Sequence, residues 1–126
     1  KTSYRNEAIE LLQEVIDQGW DTYETYNNLV ILNEKQGNLT EAQNALDTMK
    51  EQFRDDYNIE KRAAFLEIDK QEQKANKNRD YTAFAEYYEK AEKMYYEQLK
   101  NNDTDAEMDL LENVYQQVRS GGWIEE

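Results

Sequence analysis

The stretch DTDAEMDLLE, residues 103–112, places Asp103, Asp105, Glu107 and Asp109 at alternate positions, the pattern of a calcium-binding loop. An EF-hand loop turns on a glycine at its sixth place and closes with a bidentate glutamate at its twelfth. Met108 and Val114 stand at those places, so the acids read as a helix start offsetting the backbone dipole. A second candidate is RDYTAFAEYYEKA, residues 79–91, which could offer its rings to a base or a sugar. Tyr81, Phe84, Tyr88 and Ala91 are spaced 3, 4 and 3 apart, as the packing face of a helix requires. Tyr87 alone falls off that stripe and is expected to be exposed. Pairs of carboxylates across a cleft could hydrolyse glycosides. With 28 acids in the chain, adjacency of two of them points to nothing specific.

The 126 residues contain no His and no Cys. The commonest general base, the commonest metal ligand and every thiolate site are therefore missing. The expectation is a noncatalytic chain with no catalytic residue, no metal and no cofactor. A net charge of −13 opposes the positive footprint that nucleic acid demands, and it disfavours an anionic membrane surface too. No apolar run approaches the roughly 20 residues of a membrane span. The remaining partner class is a protein or peptide, a basic one by charge.

Pro is absent, Gly numbers only four, and Glu, Gln, Lys, Leu and Ala are abundant, so the expected class is all-α. Leu39, Ala42, Leu46, Met49 and Phe53 make one apolar stripe, Met108, Leu111, Tyr115 and Val118 another, and Ala8, Leu12 and Val15 a shorter one. Glycines and polar runs divide helices at about 4–18, 22–36, 40–53 and 57–72, from Asp80 onward, and at about 105–119. Thr104 with Glu107 has the form of a capping box. Gly-Trp occurs at Gly19-Trp20 and Gly122-Trp123, where a Trp can fold back over the last helical turn.

The segments from Ser3, Asn38 and Asp80 align with one another. Ala8 and Ala42 lie 34 residues apart, and Phe84 lies 34 plus 8 beyond Ala42. The extra eight fit the polar run KQEQKANKN. A 34-residue helix–turn–helix period resembles the tetratricopeptide repeat (TPR) family, over about residues 3–100. Tyr26, Leu29, Gly37, Leu39, Ala42 and Leu46 carry the resemblance in the clearest repeat, with Ala64, Asp80, Tyr81, Tyr88 and Ala91 further on. Val30, Met49 and Phe84 depart from it by replacing small residues, and the closing proline is absent.

The resemblance implies a single TPR-like α-solenoid of about six antiparallel helices. Residues 1–20 would be the second helix of a truncated repeat, 21–54 the clearest repeat, 55–100 a repeat with an inserted segment, and 101–126 a capping helix and tail. It also implies binding of a peptide or partner protein in a concave groove. The groove positions carried over are Asn27, Ile31, Glu34 and Lys35, then Lys61, Phe65, Ile68 and Asp69. The alternative expectation is structural docking, to an intramolecular partner domain or to a second copy.

The run from RDYTAFAEYYEKAEKMY to GGW also resembles the C-terminal repeat segment of some Firmicute serine/threonine protein kinase-associated proteins. No kinase motif lies in this chain itself. The expected compartment is the cytoplasm, or an extracytoplasmic one if an upstream part carries a membrane span.

Overall fold

The computed structural model describes residues 2–98 and 104–124. Six α-helices and one 3-10 turn make up the regular structure among them. The helices are α1 (Thr2–Asp17), α2 (Tyr23–Gln36), α3 (Leu39–Gln52), α4 (Tyr57–Glu72), α5 (Thr82–Gln98) and α6 (Ala106–Ser120). The chain is an all-α fold of helix–turn–helix repeats. It forms two compact units, Lys1–Arg54 and Asp55–Glu126.

In the first unit, α2 starts at Thr22, whose hydroxyl accepts the Thr25 N–H at 3.3 Å. It ends at Gly37 in the left-handed region, φ 80°. A Cβ is strained in that conformation, so glycine is the natural stop. The Asn38 N–H then reaches the Asn33 carbonyl at 2.8 Å, which reverses the chain into α3. The hairpin closes over Leu29, Val30, Ala42, Leu46 and Met49, all essentially buried. Val30 and Met49, the bulky departures from the repeat pattern, are thus accommodated in the core. Asn33 is buried but satisfied, donating to the Leu29 carbonyl and accepting from Asn38. Helix α1 packs against α2, with Asn6 and Gln36 joined at 2.8 Å.

In the second unit, Asp56 caps α4 by accepting the Ile59 N–H at 2.8 Å. The polar run extends α4 to Glu72 and then forms the 3-10 turn Asn76–Asn78. Arg79 ties that turn back to the Lys74 and Glu72 carbonyls. Helix α5 begins two residues later than Asp80, whose carboxylate accepts from the Thr82 N–H and hydroxyl.

Tyr81, Phe84, Tyr88 and Ala91 are buried with Ala64, Met108, Leu111 and Val118 in one core. The aromatic stripe is therefore a packing face. Tyr87, expected to be exposed, is half-buried against the same core. Burial of the Phe84 side chain alone stabilises by about 1.5–3 kcal/mol. Burial pushes the Tyr88 phenol well up, with its hydrogen bond to Glu92 acting the same way.

Thr104 does not cap α6. Asp105 does, accepting from the Glu107 and Met108 N–H groups at 2.9 and 3.4 Å. A carboxylate accepts more strongly than a hydroxyl and here also answers a cation. The two Gly-Trp pairs diverge. The Trp123 indole lies so close over Gly121 that a Cβ there would meet it at 2.7 Å, and the Trp123 carbonyl accepts the Tyr81 N–H. Trp20 stays 69 % exposed.

Candidate functional site

The residues carried over for binding fall into two quartets, one in each unit. On α2, Asn27, Ile31 and Glu34 are half-buried and Lys35 is exposed. Their neighbours Leu29, Val30 and Asn33 are buried on the other side of the helix. This division follows from helical periodicity, because residues at i, i+4 and i+7 or i+8 share one face.

Ile31 lines an open cleft of about 400 Å³ in the first unit. Ala8, Leu11 and Leu12 from α1 form one wall, and Asn28, Ile31 and Leu32 from α2 the other. Its lining is apolar except for the Asn28 amide. Leu11 is 61 % exposed there, and Tyr4, on the same stripe of α1, is 68 % exposed. Of the lining, only Ile31 belongs to the set read from the sequence. Leu11 and Leu12 left a readable signal, because a second leucine beside Leu12 widens the apolar side of α1 beyond the stripe of Ala8, Leu12 and Val15.

The α4 quartet has a different setting. Lys61 is buried, with its ammonium 2.9 Å from Asp105 and 3.0 Å from Glu107. Arg62 beside it also pairs with Glu107, and its guanidinium lies 5.2 Å from the Phe65 ring. Phe65 and Ile68 are half-buried against the core that α6 completes. Asp69 is half-buried. Helix α6 thus engages Lys61 directly, and Phe65 and Ile68 pack on the core it shares. Ile68 also lines a second cleft, of about 360 Å³, with Arg79, Tyr81 and Trp123 among its walls.

The electrostatics fit a latch. Burial pushes the Asp105 carboxyl up. The hydrogen bond and charge of Lys61 and two backbone N–H groups outweigh that and hold it below its usual range. Burial acts the same way on Glu107, and Arg62 and Lys61 overcome it to hold that carboxyl low. The calcium-loop acids are therefore partly committed to a cap and an ion-pair network. Asp103 lies outside the described residues. Among the described residues, no group of three or more acids is placed to hold a metal ion, and no helix is long and apolar enough to cross a membrane.

No protein-family model, no curated protein and no solved structure matches this chain. The functional reading therefore rests on its own residues.

Proposed function

We propose that the chain is a noncatalytic, TPR-like module that holds a protein or peptide on the outward face of α2. The observation that carries this reading is the division of that helix. One side is consumed by the hairpin core, while Ile31 on the other opens into an apolar cleft flanked by amides and charges. Such a mixture of an apolar seat and orienting polar groups suits a polypeptide ligand. A peptide array probed with the labelled chain tests it. Bound peptides should weaken about tenfold on Ile31→Asp, a loss of about 1.4 kcal/mol. An array with no bound peptide, or binding indifferent to that change, overturns the reading.

A second reading is structural docking or self-association within a larger protein, and the likeness to kinase-linked segments belongs to it. It is favoured by α6 pairing with Lys61 and packing on the core beside Phe65 and Ile68, on the α4 face that would otherwise be offered to a ligand. A stable dimer in sedimentation equilibrium, with no peptide bound, would select it.

A further inference from the structure

The cleft between α1 and α2 has a chemistry that selects the conformation of its occupant. Five of its six lining residues, Ala8, Leu11, Leu12, Ile31 and Leu32, are apolar, and only the Asn28 amide can answer a backbone group. An extended peptide laid there would lose water from its N–H and C=O groups and find almost no partners. Each unmet group costs about 1–3 kcal/mol. An α-helix satisfies its own backbone and brings only side chains to the contact. The cleft therefore favours a helix with Leu- or Ile-sized residues at i, i+3 or i+4, and i+7.

The charges around the cleft select the flanks of that helix. Glu7 and Glu14 stand one turn to either side of Leu11 on α1, and both are exposed. Glu24 precedes Asn28 by one turn on α2 and is exposed, whereas Glu34, one turn after Ile31, is half-buried. Arg5 and Lys35 are the basic residues at these positions, so the rim is predominantly negative. A second copy of this chain is poorly matched to such a rim. Its own amphipathic helix α6 carries Glu107, Asp109 and Glu112 exposed, and its apolar face is already buried.

Resting on the reading of the chain as a polypeptide-binding module, we propose that the α1–α2 cleft docks an amphipathic helix of another protein, with lysine or arginine flanking its apolar stripe. Apolar burial supplies the affinity, and the acidic rim supplies attraction and orientation. Helix-in-groove recognition of this kind is read as anchors at helical spacing.

Three labelled peptides test it by fluorescence anisotropy: a 16-residue Leu/Lys amphipathic helix, the same peptide with Glu for Lys, and a proline-interrupted Leu/Lys peptide that cannot form a helix. The expected result is that the first binds, at least tenfold more tightly than the other two, and that added salt weakens it. Leu11→Asp and Ile31→Asp should each weaken it about tenfold or more. Leu110→Asp, on an exposed position of α6, should leave it unchanged. Circular dichroism confirms that the variants fold.

Equal binding of the Glu peptide overturns the charge argument. Tighter binding of the proline-interrupted peptide overturns the helix while leaving the module reading intact. No binding by any of the three overturns the proposal, and the peptide array decides the module reading separately. A dimer abolished by Leu11→Asp also overturns it, in favour of a second copy.

Discussion

Helices α1 and α6 carry the same kind of apolar pattern and meet opposite fates. On α6, Met108, Leu111 and Val118 are buried, against the core that Phe84 and Tyr88 share. On α1, Tyr4 and Leu11 remain more than half exposed although α2 packs alongside. The Gly-Trp pairs repeat the contrast, with Trp123 tucked over Gly121 and Trp20 left in solvent. An amphipathic stripe specifies that something must cover it, but not which element does. In the second unit the chain supplies the cover itself, with Lys61 and Arg62 locking the start of α6. In the first unit part of the stripe stays open, which is why the binding proposal falls there.

The contrast can be broken in order of expected effect. Phe84→Ala removes the largest fully buried side chain of the second unit and should cost about 4 kcal/mol in urea unfolding. Leu111→Ala should cost about 3 kcal/mol for the same reason, whereas Leu11→Ala should stay within about 0.5 kcal/mol. Equal losses at the two leucines would erase the distinction between covered and open stripes.

Lys61→Ala leaves Asp105 partly buried without its cation. The expected loss is about 2 kcal/mol, less than the ~3–5 of a fully buried pair because the Glu107 side chain is 47 % exposed. The Trp123 fluorescence should shift red as α6 loosens, read in a Trp20→Phe background.

The same latch has a pH signature. Asp105 and Glu107 have folded pKa values held below their unfolded ones. Their contribution is complete above the ordinary carboxylate range near pH 4 and is lost as pH falls through the lowered folded values. The Trp123 signal should therefore persist to about pH 4 and fail below it. In Lys61→Ala the failure should move to higher pH. Gly37→Ala should cost less than the core and latch changes, about 1 kcal/mol from the left-handed backbone, seen as a lowered melting midpoint with no change in Trp123 emission.

The helices were readable because their signals are local. Gly37 as a stop and the stripe through Leu39, Ala42 and Leu46 need only neighbours three or four residues away. Helix ends shifted by one or two residues, and the start of α6 passed from Thr104 to Asp105, because a cap is chosen partly by what faces it. The candidate site was less legible. Ile31 was read as a groove position from the family resemblance, and it stands on the side of α2 away from the hairpin core. Lys61, on the corresponding side of α4, turned inward because Asp105, 44 residues further on, arrives beside it.

By itself, then, the sequence determined an all-α chain of helix–turn–helix repeats with no His and no Cys, and which residues share each helical face. Those properties follow from intrinsic propensity and the 3.6-residue period, which act along the chain. The tertiary structure decided which faces are closed. Packing and ion pairing join residues distant in sequence, and no local pattern says that α6 would cover the second unit's core while Leu11 and Ile31 stayed open.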